Sequence, residues 1–436
     1  MKLFTFRGGV HPPENKLQTE KLETEVFEAS KMLYVPMLQH IGAPLEPTVK
    51  IGERVLKGQK LGDSQAFVSS PVHSPVSGTV KKIEVMPFPL SGKVNTIVIE
   101  NDGQEELAEL TKLENWETAT NEEILAMVRE KGIVGIGGAC FPTHIKLNPP
   151  KDVKVDTLLL NGAECEPYLN SDNRLMLEEP HKIIEGIKII MKVLGVEKAH
   201  IGIEDNKPEA IASMNKACEG TKIVVSTLKT QYPQGGEKQL IKAILDRDVP
   251  SGGLPSAVGV VVQNTGTAAA IYEGLVEGTP LTEKIVTVSG LAVGRPVNLK
   301  VKIGTMFNEI LDYTNTNRDE IEKLVMGGPM MGMAQHSETV PVIKGTSGLL
   351  ALTKEETNPY KPKSCIVCGK CIKACPMDLL PNMYAKLARF KKWEELEEYH
   401  LMDCIECGSC SYICPANRPL TEAIKIGKAK LRTLKK

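Results

Sequence analysis

A multidomain α/β fold is predicted, on three observations. Short strands punctuated by glycine occupy about 32–105, strands and helices alternate over about 117–278, and eight of the eleven cysteines fall in two runs after Ser364. A chain of 436 residues has room for several cores, because single hydrophobic cores stop growing near ~250–300 residues. Basic and acidic residues nearly cancel, 53 Lys+Arg against 54 Asp+Glu, so no overall field points to nucleic acid. The opening stretch MKLFTFRGGVHPP has no apolar signal-peptide core, so a leaderless protein is expected. No run of about 18 apolar residues, enough to span a membrane, is present. The greasiest stretch, 183–196, is interrupted by Glu185, Lys188 and Lys192. A membrane role is expected to come through a partner.

After an N-terminal segment, 1–31, the first module (32–105) reads as a β-barrel sandwich. Val49, Gly52, Gly58, Leu61 and then Ser74-Pro75-Val76-Ser77-Gly78-Thr79-Val80 alternate short strands with turns. The pattern resembles biotinyl and lipoyl carrier domains, which need an acceptor lysine at a hairpin tip. None lies between Lys60 and Lys81, so the module is read as structural or docking.

The central region, 115–280, reads as an α/β domain. Apolar runs at 157–160, 199–203, 222–227 and 257–262 suggest buried strands, with helical patterns at 180–194, 208–219 and 237–246. Such alternation argues a largely parallel sheet, whose ligands bind at the carboxyl ends of the strands. Three of its loops look chemical. Gly135-Ile136-Gly137-Gly138-Ala139-Cys140-Phe141-Pro142-Thr143, with Lys146 following, combines close backbone approach with a helix start that suits phosphate. Cys140 occupies the last position of G-x-G-x-x-G, so this is not the dinucleotide fingerprint, and alone it reads more readily as a tight turn. Asn161-Gly162-Ala163-Glu164-Cys165-Glu166-Pro167 follows a strand and carries two carboxylates, which suit polar recognition or a solvated turn. Tyr232-Pro233-Gln234-Gly235-Gly236-Glu237 leads into a helix, and its plain reading is an acidic first turn.

The cysteine runs are the most specific signal. The first reads Cys365-x2-Cys368-x2-Cys371-x3-Cys375-Pro376 and the second Cys404-x2-Cys407-x2-Cys410-x3-Cys414-Pro415. This is the two-cluster ferredoxin spacing, in which the fourth cysteine of each run ligates the other cluster. Cys365, Cys368, Cys371 and Cys414 are therefore assigned to one [4Fe–4S] cluster, and Cys404, Cys407, Cys410 and Cys375 to the other. Zinc ribbons use two separated C-x2-C pairs, and disulfides are not expected without an export signal. The segment 381–403 is rich in Lys, Glu and Leu and reads as two helices, which makes an α-helical ferredoxin module over 353–424. Cys140, Cys165 and Cys218 fit no ligand spacing. From Lys425 onward come six basic residues, Lys425, Lys428, Lys430, Arg432, Lys435 and Lys436, and no acid. This basic tail, 425–436, suggests either a solvated end or attraction to an acidic partner or anionic lipid.

The three loops, in this order, resemble the flavin and nicotinamide site of the NADH-oxidising flavoprotein subunit of respiratory NADH:quinone oxidoreductase. The similarity is closer to the C-subunit family of the Rnf ion-translocating ferredoxin:NAD oxidoreductase complexes. It runs from Phe6-Arg7-Gly8-Gly9-Val10-His11-Pro12-Pro13 through Asn161 to Pro167, Gln263-Asn264-Thr265-Gly266-Thr267 and Gly327-Gly328-Pro329-Met330-Met331-Gly332 to both cysteine runs. The resemblance implies a soluble-ligand-binding β-grasp domain over 281–340. It implies that Gly135, Gly137, Gly138 and Lys146 embrace non-covalent FMN, completed by Asn161, Glu164, Asn264 and Thr265. It implies that Phe141 stacks on NAD(H) while Glu166, Tyr232, Gly235, Gly236 and Glu237 frame its entry. The respiratory flavoprotein usually has Arg, Gly and Asp where this chain has Ile136, Cys140 and Ala163, and the resemblance does not carry over the flavin contact of that Asp. The lysine- and alanine-rich extension of some Rnf relatives is not among the 436 residues.

Together these parts imply NAD(H)–FMN–[4Fe–4S]–[4Fe–4S] electron transfer. The expected setting is the cytoplasmic face of a membrane complex that couples ferredoxin:NAD oxidoreduction to Na+ or H+ translocation. The expected partners are the other Rnf-type subunits and, through them, ferredoxin. Two alternatives share part of this layout: a flavin/Fe–S cobalamin reductase of a microcompartment, and a passive ferredoxin-like adaptor.

Overall fold

The computed structural model describes residues 3–90, 92–150, 152–357 and 360–434. The N-terminal segment does not stand alone. It joins the α/β domain by single bridges at Phe4–Leu228 and Val10–Tyr232 and then forms strand β1 (Thr24–Val26).

The barrel sandwich comprises β2 (Met32–Pro36), β3 (Glu46–Pro47), β4 (Arg54–Val55), β5 (Lys60–Asp63), β6 (Val72–His73), β7 (Gly78–Pro87) and β8 (Lys93–Asn101). They form two sheets, ordered β2-β8-β7-β4 and β3-β5-β6. Leu33, Val35, Leu61, Val80, Ile97 and Ile99 fill the space between them.

The α/β domain opens with α1 (Asn121–Glu130), whose Thr120 and Glu123 form a capping box. The glycine loop leads into α2 (Thr143–Lys146), a single helical turn that starts after Pro142. Then follow β9 (Thr157–Asn161), α3 (Ser171–Glu178), α4 (Pro180–Leu194), β10 (Ala199–Glu204), α5 (Pro208–Ala217), β11 (Ile223–Leu228), α6 (Glu237–Leu245), β12 (Val260–Asn264) and α7 (Thr265–Tyr272). Pro180 at its first turn and left-handed Gly195 at its end bound α4 where the sequence predicts. The fourth strand starts later than expected, because Pro255 opens a 3₁₀ turn that ends at left-handed Gly259. The sheet is parallel and ordered β11-β10-β9-β12. β12 returns to the far side of β9, so strand order reverses between them. That crevice is the place where α/β sheets bind ligands. The last helix is pressed close to α4, since a Cβ built on Gly186 would lie 1.9 Å from the Ala268 carbonyl oxygen.

The next domain holds β13 (Glu283–Ser289), β14 (Val297–Lys302), α8 (Phe307–Tyr313), β15 (Lys323–Met326), β16 (Met333–Gln335) and β17 (Gly348–Leu352). Its sheet runs β1-β14-β13-β17-β15-β16. The expected limits, 281–340, are therefore too narrow. β17 is an interior strand and β1 a parallel edge strand, and neither pairing shows in a local pattern. Lys344 ties this domain to two others. Its buried side-chain nitrogen donates to the carbonyls of Pro71 (2.7 Å) and Gly132 (2.5 Å).

The C-terminal module is helical, with α9 (Lys370–Lys373), α10 (Pro381–Arg389), α11 (Trp393–Glu398), α12 (Ser409–Tyr412) and α13 (Leu420–Leu434). The two helices expected between the cysteine runs are α10 and α11. The basic tail is not a free end as far as Leu434. It continues α13, which buries Leu420, Ile424, Lys428 and Leu431 against the module. Lys435 and Lys436 lie outside the described residues. No helix among the described residues is long and apolar enough to cross a membrane.

Candidate functional site

The crevice between β9 and β12 gathers the loops that the sequence singles out. Asn161 and Asn264 end these strands and are direct register partners. Asn264 accepts at Oδ1 from the Gly266 amide (2.7 Å), capping α7. Its Nδ2 donates to Asp172 (2.6 Å) and to the Asn161 carbonyl (3.3 Å). Asn161 donates to the Gly235 carbonyl (3.0 Å) and accepts from the Ala163 amide (3.1 Å), so it joins the second and third loops. The glycine loop is moored by the Ile136 amide on Thr267 Oγ1 (2.9 Å) and by Gly135 on the Phe141 carbonyl (2.9 Å).

Gly137 sits at φ +88°, and a Cβ there would come within 3.0 Å of the Asn264 amide, so a side chain is both strained and crowded. Gly138 is exposed, and a Cβ on it meets nothing within 4 Å. Phe141 is half-buried beside this loop. Thr265 is fully buried, and its hydroxyl has no hydrogen-bond partner among the described residues. At the rim, Lys146 pairs with Glu237 at 2.6 Å. Bare backbone above open space, an orphaned hydroxyl and a rim lysine fit a phosphorylated, planar group such as FMN.

Three of the expected ligand contacts are redirected. The Glu164 carboxylate accepts from the amides of Asp172 (2.7 Å) and Asn173 (3.0 Å) and from Ser171 Oγ (3.2 Å). It therefore caps α3, where an acid also suits the helix dipole. Glu166, expected to face NAD(H), turns inward instead. Its oxygens accept from the Met330 (3.0 Å) and Met331 (2.9 Å) amides of the 327–332 loop. Burial pushes its carboxyl up to about 7, against the pull of those two amides. Tyr232, expected at the nicotinamide entry, is 2% exposed. Its hydroxyl donates to the Cys407 carbonyl (2.8 Å) and approaches Glu166 at 3.5 Å.

The cysteines of the two runs lie in two different surroundings. Cys375, Cys404, Cys407 and Cys410 line one cavity, together with Tyr384 and Ile424. Burial pushes Cys404 up to about 11 and Cys410 up to about 12, and bound iron would hold both as thiolates. Backbone amides point at this set, from Glu406 to Cys404 Sγ and from Leu379 to Cys375 Sγ, each at 3.4 Å. The other set is more open. Cys365 and Cys368 are exposed, while Cys371 and Cys414 are half-buried. Burial raises the Cys371 thiol, and the nearby Cys414 adds to the shift. Both runs fold alike: Val367 and Glu406 have φ of +55° and +58°, and Gly369 and Gly408 +73° and +82°. The donor chemistry and the repeated turn fit two iron–sulfur clusters. Neither Cys140, Cys165 nor Cys218 lines the cavity.

Family models match three consecutive parts of the chain. These are an RnfC barrel sandwich hybrid domain over 4–104, a Nuo51 FMN-binding domain over 128–273 and a 4Fe–4S dicluster domain over 358–415. The chain is 49% identical to the C subunit of the proton-translocating ferredoxin:NAD(+) oxidoreductase complex of Clostridium ljungdahlii, over 91% of this chain and 87% of that one. It is 46% identical to the C subunit of the Na(+)-translocating ferredoxin:NAD(+) oxidoreductase complex of Acetobacterium woodii, over 98% and 97%. It is 42% identical to the C subunit of the ion-translocating oxidoreductase complex of Rhodobacter capsulatus, over 99% and 84%. The chain belongs to this RnfC family.

Other residues of this RnfC-family protein serve the site without a signal in the sequence. Lys16, from the N-terminal segment, is buried beneath the second loop and donates to the carbonyls of Glu164 and Glu166 (3.0 Å each) and of Leu169. Burial, with Lys207 nearby, pushes it down to about 8. Asp172 orients the Asn264 amide, and burial beside Glu164 pushes it up to about 7. Gln239 donates to the Pro376 carbonyl (3.2 Å), and the Gly9 amide to the Ala374 carbonyl (3.0 Å). Together with Tyr232, they fasten the turn of the Cys375 set to the flavin-site loops. Only the acidic first turn of α3 hinted at Asp172.

Proposed function

We propose that this RnfC-family protein exchanges a hydride with NAD(H) at FMN and relays single electrons in a defined order. The cluster held by Cys404, Cys407, Cys410 and Cys375 comes next to the flavin. The cluster held by Cys365, Cys368, Cys371 and Cys414 is the outer one. The observation that carries this order is the buried Tyr232, which belongs to a flavin-site loop and bonds the Cys407 carbonyl. When bound, FMN takes two electrons as hydride and yields them singly, and the clusters carry one at a time.

The chain's own residues bind, orient and exclude water. Gly135, Gly137 and Gly138 let backbone amides approach the phosphate and ribityl chain, and Lys146 supplies charge there. The Thr265 hydroxyl gains a partner on binding, while Asn161 and Asn264 keep the crevice in shape. Phe141, Gly235, Gly236 and Glu237 remain at the rim for the nicotinamide nucleotide. Glu164, Glu166 and Tyr232 act as positioning residues instead. The setting is the cytoplasmic face of a membrane complex that couples ferredoxin:NAD oxidoreduction to Na+ or H+ translocation. The names of the relatives support the coupling of ferredoxin:NAD oxidoreduction to ion translocation.

Gly138→Val tests the reading. A side chain in the open space above the loop should abolish FMN binding yet leave both clusters in place. NADH should then fail to reduce the clusters while dithionite still does. Full FMN content in this variant would overturn the flavin assignment.

A further inference from the structure

The outer cysteine set lies in an exposed surface that combines apolar and basic residues. Cys365 and Cys368 are exposed, and between them Ile366 and Val367 are 66% and 82% exposed. Lys361, Lys363, Lys370 and Lys373 flank this apolar tip, and all four are exposed. No Asp or Glu occurs from Tyr360 to Met377; the next acid is Asp378. Arg418 adds a fifth cation, its guanidinium reaching the Lys363 carbonyl at 3.5 Å. The inner set is different: Lys428 there is buried and paired with Glu406 at 2.8 Å. Since the chain as a whole carries a formal net charge of −1, the cations at the outer set are a local concentration.

We propose that this lip docks a redox partner protein whose own electron carrier lies beneath an acidic surface. The inference rests on the cluster order given above and adds the partner's chemistry and the docking residues. An apolar centre inside a charged rim is the anatomy of a transient protein interface. A rim of one sign steers an oppositely charged partner, raising association rates by roughly 10–10³ at low salt. The tip lies between two ligands of the outer cluster, so docking here brings the partner to the most exposed redox centre. An anionic membrane would also attract lysines, but two exposed aliphatic side chains offer little to insert, and lipid carries no electron acceptor.

The test uses the full chain with both clusters loaded anaerobically and reduced by dithionite, which bypasses NADH and FMN. Electron transfer is followed by stopped flow to an acidic plant-type [2Fe–2S] ferredoxin and to basic cytochrome c. The variants are Lys361→Glu/Lys363→Glu and Lys370→Glu/Lys373→Glu, with Lys50→Glu on the barrel as a distant control. Transfer to ferredoxin should slow about tenfold in both lip variants at low salt, and transfer to cytochrome c should quicken. The difference should vanish near ~0.5 M salt, where the Debye length is only a few ångströms. Unchanged ferredoxin rates at every ionic strength, with both cluster spectra intact, would overturn the proposal. So would lip variants that lose binding to phosphatidylserine vesicles but reduce ferredoxin normally. If charge dependence appears with dithionite while NADH fails to reduce even the parent chain, the docking surface stands and the NADH reading falls.

Discussion

Replacing Tyr232 by Phe removes one oxygen from the junction between the flavin-site loops and the inner cluster loop. The ring stays, so no cavity opens. What is lost is a 2.8 Å hydrogen bond to the Cys407 carbonyl, made by a side chain that is 2% exposed. A buried acceptor left without its donor costs about 1–3 kcal/mol, or roughly fivefold to over a hundredfold in an equilibrium constant. The bond joins two domains, so the penalty falls on docking of the ferredoxin module. Tyr384→Phe is the matched control. Its hydroxyl donates to the Tyr399 carbonyl at 2.7 Å, within the module itself. Hydrogen exchange should rise at 404–410 in Tyr232→Phe, and NADH should reduce the inner cluster more slowly with flavin content unchanged. Tyr384→Phe should weaken the module without slowing that step selectively. Unaltered exchange at 404–410 together with an unaltered reduction rate in Tyr232→Phe would refute the coupling.

Lys344→Met should flatten the pH dependence of stability. Burial pushes this lysine from 10.5 down to about 7, so between those values the unfolded chain holds a proton that the native chain lacks. Stability from this group therefore rises with pH across that window, and urea midpoints between about pH 7 and 10 should show a smaller rise in the variant. Cys375→Ala should damage the cluster of Cys404, Cys407 and Cys410 and spare the one begun by its own run. Electron paramagnetic resonance showing the lesion confined to Cys365, Cys368 and Cys371 would refute the crossing. Deleting 425–436 should unfold the ferredoxin module at any salt concentration, because it removes buried Lys428 and Leu431. A folded module with both clusters after that deletion would contradict the packing of α13.

Some features were legible because their physics is local. Cluster chemistry needs thiols at fixed spacing with a turn before Pro376 or Pro415, and the spacing alone assigns them. Pro180 and Gly195 mark α4 because first-turn and C-cap preferences act within one helix. Parallel strands bring Asn161 and Asn264 to the same edge, which the alternation of elements already implied. Family resemblance carried the three loops to the crevice that strand order later located.

What the sequence could not decide was which partner each polar side chain meets. Glu164, Glu166 and Tyr232 stand in ligand-like loops, yet an isolated carboxylate or phenol serves equally as ligand contact or strut. Tertiary packing buried all or part of each beside α3, the 327–332 loop or Cys407, and a buried polar group takes whatever donor or acceptor is nearest. The same holds for β1 and β17, whose partners lie hundreds or tens of residues away. It holds too for the basic tail, where Lys428 is drawn inward by the Cys404 carbonyl (2.5 Å) and Glu406. The sequence by itself determined which cofactors this chain can carry and in what order its domains come. Only the tertiary structure decided which cysteine set lies beside the flavin-site loops and which lies exposed, because that depends on contacts between segments that share no local pattern.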